Sequence, residues 1–252
     1  MTGSLAVLVP GSAAEAAELF GDGSDVTVVG GGTVVVPAHV RGQVTSSRAL
    51  YLGRAGLAGI TRDGTRTTIG ATTTVAALVD LPAPLGAAAA NVGDAEVRGQ
   101  ATLGGNLCVS PMEVPRGDLQ GALVALDATV RSTGAGGERS EPIADFLPRR
   151  GERLVLDVSF EEPAAGAYVH LDRAHTHEYT ALAVSAVRSA DGSVRLAVAG
   201  ADDHAVAIPV DGADPDLSGI DFRDDALASA WYKQRVLPVL VRRALEKLGA
   251  SR

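Results

Sequence analysis

Val28-Val-Gly-Gly-Gly-Thr33 and Ala101-Thr-Leu-Gly-Gly-Asn-Leu107 are the two stretches on which the reading of this chain turns. In the first, a β-branched strand over Val26–Val29 runs straight into Gly30-Gly31-Gly32-Thr33. Glycines at that point let consecutive backbone N–H groups converge on one anion, and the threonine hydroxyl adds a donor. In the second, Gly104 and Gly105 permit close backbone approach, while Thr102 and Asn106 supply side-chain hydrogen-bonding groups. Taken singly, each is better read as a plain turn or bulge. The first fails the P-loop pattern because no Lys-Ser/Thr pair follows, and fails the Rossmann fingerprint because Val35 stands where its third glycine belongs. Together they predict two turns closing on the phosphates of a dinucleotide from both sides.

The elements around them are mixed helix and strand. Leu5–Val9 reads as a strand, and Ser12-Ala-Ala-Glu15 as a capping box that opens a short helix. Arg48–Gly53, Leu57–Arg62 and Thr65–Ala71 read as successive strands, with Asp63-Gly64 as a hairpin turn. Short helices are expected over Val75–Val79 and Leu85–Asn91. A helix is expected over Asp118–Leu126, then a strand over Thr129–Ser132. Thr133-Gly-Ala-Gly-Gly137 is expected to end the strand pairing. Longer strands follow at Leu154–Phe160, Ala167–Leu171, Ala181–Ser189 and Val194–Gly200. An amphipathic helix over Val236–Leu248 closes the sequence. The fold class is α+β, divided as residues 1–55, 56–146 and 147–252.

Composition narrows the function. The sequence has 252 residues, 46% hydrophobic and 21% charged, with a net charge of −8. Phosphate-backbone recognition needs a basic patch, so nucleic acid is an unsuitable partner. A polyanionic cofactor remains compatible, because backbone amides hold phosphate without net positive charge. The lone Cys108 rules out an intrachain disulfide and an all-cysteine cluster within the sequence. No segment has the roughly 18 apolar residues of a membrane span, and the first ten residues lack a secretory pattern. A cytoplasmic protein is expected. His170, His175 and His177 lie close together, but their spacing supplies no third ligand, so no metal site is assigned.

The order of the motifs resembles the FAD-binding subunit of the xanthine dehydrogenase/carbon monoxide dehydrogenase family of molybdenum hydroxylases. Ala101–Leu107 is followed by Ser110-Pro111, Gly117-Asp118-Leu119 and Ala125-Leu-Asp-Ala-Thr-Val130, similar to that family's second FAD motif. Val28–Thr33 is similar to its first. Trp231-Tyr-Lys233 and Leu237-Pro-Val-Leu-Val-Arg-Arg-Ala-Leu245 resemble its closing helix. The resemblance covers essentially the whole chain. It implies a two-lobed PCMH-type FAD-binding fold followed by a smaller C-terminal domain of antiparallel sheet and helices. It also implies pyrophosphate contacts from Gly30, Gly31, Gly32, Thr33, Thr102, Gly104, Gly105 and Asn106. Asp118 matches an acidic residue that hydrogen-bonds flavin ribityl or ribose hydroxyls. A carboxylate suits vicinal hydroxyls, and a helix N-cap is its alternative role.

The sequence departs from the family pattern in two places. Met112–Gly117 lengthens the loop before Asp118, and His170 stands where family members often carry lysine. Glu178-Tyr179 resembles an acidic-Tyr pair whose ring covers the flavin, which makes Tyr179, with His170 and His175, a candidate flavin-facing group. No other catalytic residue stands out, as expected where a cofactor carries the chemistry. The resemblance implies an oxidoreductase component that passes electrons from a [2Fe–2S]/molybdopterin partner to NAD+, oxygen or another acceptor. A standalone FAD-dependent oxidoreductase acting on a small molecule is the second reading. A cofactor-free scaffold protein is the third.

Overall fold

The computed structural model describes residues 5–109, 118–172, 180–211 and 214–250. Its first part is a small parallel sheet. β1 (Ala6–Leu8) is followed by α1 (Ala13–Phe20), β2 (Val26–Val29), α2 (Val35–Val40) and β3 (Arg48–Tyr51), with the strands in the order β1-β3-β2. Ser12 starts α1 as expected: its Oγ accepts the Glu15 amide at 3.1 Å, and Glu15 Oε2 accepts the Gly11 amide at 2.7 Å. Gly21, at φ 60°, ends the helix. Phe20, Leu50 and Leu52 are buried against Leu154 and Leu156, which come from a later strand. The β2 strand therefore ends in its glycines with a fixed core beneath it.

The middle part is antiparallel and carries most of the helices. In chain order it contains β4 (Ile60–Asp63), β5 (Arg66–Gly70), α3 (Leu85–Ala90), α4 (Ala95–Gln100), α5 (Leu103–Leu107) and α6 (Asp118–Ala125). These are followed by β6 (Thr129–Thr133), β7 (Arg139–Pro142), α7 (Ile143–Phe146) and β8 (Leu154–Glu161). A 3-10 turn covers Val75–Leu78. The strand order is β4-β5-β8-β6-β7. One expectation is corrected here. Thr133–Gly137 does not end the pairing but connects β6 to β7 as a hairpin, with Gly134, Gly136 and Gly137 all at positive φ. β8 lies between β5 and β6, so the strand after residue 147 belongs with the middle sheet. α4 was not read from the sequence at all. Its signal was Asp94, whose Oδ1 accepts the Val97 amide at 2.7 Å as an N-cap.

The last part is a four-stranded antiparallel sheet of β9 (Ala165–Asp172), β10 (Thr180–Arg188), β11 (Val194–Ala199) and β12 (Val206–Ile208), in the order β12-β11-β10-β9. The two-residue strands β13 (Val210–Asp211) and β14 (Asp214–Pro215) precede α8 (Ala230–Ala250). β10 is buried from Thr180 to Val187 because it is covered on both faces, by α6 on one side and α8 on the other. α6 is buried from Leu119 through Ala125, which explains why its sequence is nearly uniformly apolar instead of amphipathic. α8 begins before the expected Val236, since Trp231 and Tyr232 face outward and leave no apolar period in its first turn. That turn is set by caps: Asp224 Oδ1 accepts the Ala230 amide at 2.6 Å, and Ser229 Oγ accepts that of Tyr232 at 3.3 Å. Lys233 is fully buried there. Its ammonium donates to Arg223 O at 2.8 Å and to the Asp225 carboxylate.

Among the described residues no helix is long and apolar enough to cross a membrane. The α+β class follows directly from these elements. Phe146, 0% exposed, sits with Ile143 and Leu147 in the core that joins the middle sheet to α6. Phe146→Ala is expected to cost about 3–5 kcal/mol of unfolding free energy, measured by urea denaturation. A loss below about 1 kcal/mol would contradict this packing.

Candidate functional site

The turn after β2 passes directly against the segment before α5. A Cβ added at Gly31 would lie 1.7 Å from Gln100 O, and one at Gly30 would lie 2.5 Å from Thr102 Oγ1. No side chain fits at either position, so the two glycine segments touch only because these residues lack one. Between and around them is a cleft of about 1400 Å³ including its open mouth, lined by Gly30–Val35 and by Thr102, Gly104, Gly105 and Asn106. Its enclosed part, about 330 Å³, lies at the lower end of the roughly 300–1,000 Å³ typical of small-ligand pockets. All eight residues expected to contact pyrophosphate thus meet at one cavity.

The two segments differ in what they offer. The amides of Gly30, Gly31, Gly32, Thr33, Val34 and Val35 donate to no other described residue, and all six residues are partly accessible. The turn that aligns them is fixed by Gly32 at φ 75° and by the Val36 amide donating to Gly32 O at 3.0 Å. Consecutive open amides of this kind form a concave donor set suited to an anion. In the second segment the amides are already engaged. Gly104 donates to Ala71 O at 2.8 Å, Asn106 to Thr102 O at 2.9 Å, and Gly105 to Thr102 Oγ1 at 3.2 Å. Thr102 is the N-cap of α5, and the segment is a short helix and not a bulge. What it leaves available is side chains: the Thr102 hydroxyl proton and the Asn106 carboxamide nitrogen, neither of which donates to a described residue. Asn106 Oδ1 accepts the Leu119 amide at 3.0 Å, which holds α6 against α5.

Asp118, the first described residue of α6, lines a second cavity of about 180 Å³. Val109 lines both cavities and marks their junction. Gln120 ties the walls together, donating to Leu107 O at 2.9 Å and accepting the Ala205 amide at 3.2 Å. His170 lies on β9 with its ring stacked on Tyr168, 5.4 Å between centroids, and lines neither cavity. Tyr179, His175, His177 and the Met112–Gly117 loop lie outside the described residues. No grouping of three or more His, Cys, Asp or Glu able to hold a metal occurs among the described residues.

Two lining residues escaped the sequence reading. Arg150 and Arg153 enter the first cavity from the turn before β8 and are 6% and 7% exposed. The string Pro148-Arg-Arg-Gly-Glu-Arg153 is conspicuously basic for an acidic chain, but nothing in it distinguishes buried arginines from solvated ones. Cys108 also lines this cavity. Burial pushes its thiol up to about 12, with Arg150 pulling in the opposite direction.

Residues 3–160 match the family model described as the FAD binding domain in molybdopterin dehydrogenase. No curated protein matches the sequence. Among solved structures, the chain is similar to one chain of a carbon monoxide dehydrogenase from Hydrogenophaga pseudoflava lacking the Mo-pyranopterin moiety of its molybdenum cofactor. The TM-score is 0.84 at 21% identity, covering 100% of this chain and 99% of that one. Reconstituted CO dehydrogenase from Oligotropha carboxidovorans gives 0.85 at 23% identity, covering 100% of both chains. Quinoline 2-oxidoreductase from Pseudomonas putida 86 gives 0.82 at 19% identity, covering 99% of both. At these identities the likeness establishes the fold.

Two outcomes test the site geometry. Gly31→Ala is expected to part the two glycine segments and lower the melting temperature, whereas Gly99→Ala, whose added Cβ meets nothing within 4 Å, leaves it unchanged or raises it. Equal effects in a thermal melt would contradict the close approach. Cys108, protonated throughout the neutral range, is expected to resist a disulfide-exchange reagent at pH 8 in the native protein and to react once unfolded. Rapid native labelling would contradict the raised thiol pKa.

Proposed function

This chain belongs to the family of FAD binding domains in molybdopterin dehydrogenases, and from that membership we propose that it is the flavin-carrying component of an electron-transfer oxidoreductase. In this reading a molybdopterin partner oxidises the substrate, a [2Fe–2S] partner relays the electrons, and this chain delivers them to NAD+, oxygen or another acceptor. The single observation that carries the site assignment is the row of open amides from Gly30 to Val35, facing an open cleft.

The residues present fit FAD. The Gly30–Val35 amides would hold the diphosphate, with the Thr33 and Thr102 hydroxyls and the Asn106 carboxamide as side-chain donors and Gly104 and Gly105 as the close wall. Asp118, in the adjoining cavity, would accept from ribityl or ribose hydroxyls. The bound flavin supplies two-electron and one-electron redox chemistry. The chain's own part is to bind, orient and shield. The amides are held in place before binding by the Gly32 turn, so little ordering is required when the anion arrives. The Gln120 and Asn106 bridges keep the two cavities in register. The FAD-binding part is best bounded after Glu161, because β8 completes the middle sheet and the family match ends at residue 160.

Purified protein is expected to carry FAD, or to take it up one-to-one after reconstitution, read by flavin absorbance and fluorescence quenching. Gly32→Val should reduce that uptake at least tenfold, because a β-branched residue at φ 75° twists the amides out of alignment. A wild-type preparation that takes up no FAD would contradict the cofactor reading. Undiminished uptake by Gly32→Val would contradict the role of the turn.

A further inference from the structure

The two cavities that meet at Val109 have opposite electrostatic character. In the cleft of the glycine turns, the charged side chains among the described lining residues are Arg150 and Arg153. The adjoining cavity presents Asp118, Asp202, Asp203, Asp224 and Asp225 against Arg223 and Lys233. A chain of net charge −8 has thus reserved the wall of one cleft for cations.

The two arginines differ in how far they are neutralised where they sit. Arg153 Nε donates to Ser132 Oγ at 2.8 Å, its Nη1 to Ala135 O at 3.1 Å, and its Nη2 to Ser132 O at 3.1 Å and Gly137 O at 2.6 Å. Every one of these acceptors is neutral. Arg150 donates to Val109 O at 3.1 Å, Leu147 O at 2.8 Å and Asp203 O at 3.3 Å, and it also pairs with the Asp203 carboxylate at 3.6 Å. Carbonyl oxygens satisfy the N–H groups but carry no net charge. The positive monopole of Arg153 therefore persists in a wall from which water is largely excluded, where its field is weakly screened, while that of Arg150 is offset in part by Asp203. Burying an unpaired cation is costly. Desolvation, with Arg139 behind it, accordingly lowers the Arg153 pKa, and the Glu141 carboxylate only partly offsets this.

We propose that Arg150 and Arg153 supply the counter-charge for the cofactor's diphosphate and thereby select a phosphorylated dinucleotide over an uncharged flavin. This rests on the reading of the cleft as the FAD site. The open amides fix the position of the diphosphate. The two arginines, each held rigidly by three or four acceptors, set how strongly the cleft attracts its charge. A role confined to stapling the Ser132–Gly137 hairpin would leave Arg150 unaccounted for, since it is anchored to different elements.

The test compares FAD with riboflavin, which has the same ring system and no phosphate. Dissociation constants are measured by fluorescence for wild type, Arg150→Gln, Arg153→Gln and Arg153→Lys at low and high salt, with a thermal melt of each. Each glutamine variant is expected to weaken FAD binding at least about tenfold, to leave riboflavin within about twofold, and to flatten the salt dependence of FAD binding. Arg153→Lys keeps the charge while losing the planar fork and should retain most of the FAD affinity. If Arg153→Gln fails to fold, Arg150→Gln and Arg153→Lys still decide the matter. Equal losses for FAD and riboflavin, or a lysine variant that behaves like glutamine, would overturn the proposal while leaving the FAD site intact. Wild-type protein that binds neither flavin would overturn the cofactor reading and this inference with it.

Discussion

The contact between Gly31 and the carbonyl of Gln100 is the constraint on which the site depends. With only 1.7 Å available to a Cβ at Gly31, the parallel sheet and the α4–α5 corner can touch at this point through backbone alone. That contact places the end of β2 against Thr102, and it brings residues about seventy positions apart in the chain to one cleft. The three-stranded sheet is otherwise attached mainly through Phe20, Leu50 and Leu52 packing on Leu154 and Leu156 of β8. The apolar contact supplies adhesion without direction. The glycine contact supplies the register that leaves the Gly30–Val35 amides facing an opening instead of a partner.

The division of labour between the two glycine segments follows from this arrangement. The first has spare backbone donors because it follows a strand end and precedes a short helix, and nothing else pairs with it. The second is pinned on both sides, to Ala71 and Thr73 through its amides and to α6 through Asn106 and Gln120. It acts as a fixed wall that contributes side-chain donors. The acidic and basic cavities then give the cleft a direction, with the cationic end at the glycine turns and the acidic end at Asp118.

Much of the fold was legible where local chemistry dominates. The strand Val26–Val29 matches to the residue, the Ser12 cap and the Asp63-Gly64 turn are where their residue types demand, and the residues expected to contact diphosphate do meet. What could not be read depends on long-range pairing or burial. The glycine-rich Thr133–Gly137 has the composition of a terminator, yet Arg153 gathers its carbonyls into a hairpin from the turn before β8. The first turn of α8 shows no apolar period because its one inward residue is Lys233, a side chain whose burial rests on Asp225, eight residues earlier in the loop before the helix. The internal bonding of Gly104 and Gly105 was hidden for a similar reason: a Gly-Gly pair reads the same in the sequence whether its amides are open or already given to Ala71 and Thr102.

Residue-resolved amide hydrogen exchange, with and without FAD, tests the central claim most directly. The account predicts that Gly30–Val35 exchange rapidly in the free protein and become strongly protected when FAD binds, while Gly104, Gly105 and Asn106 are protected in both states. Protection gained by the second segment, with the first left exchanging freely, would contradict it.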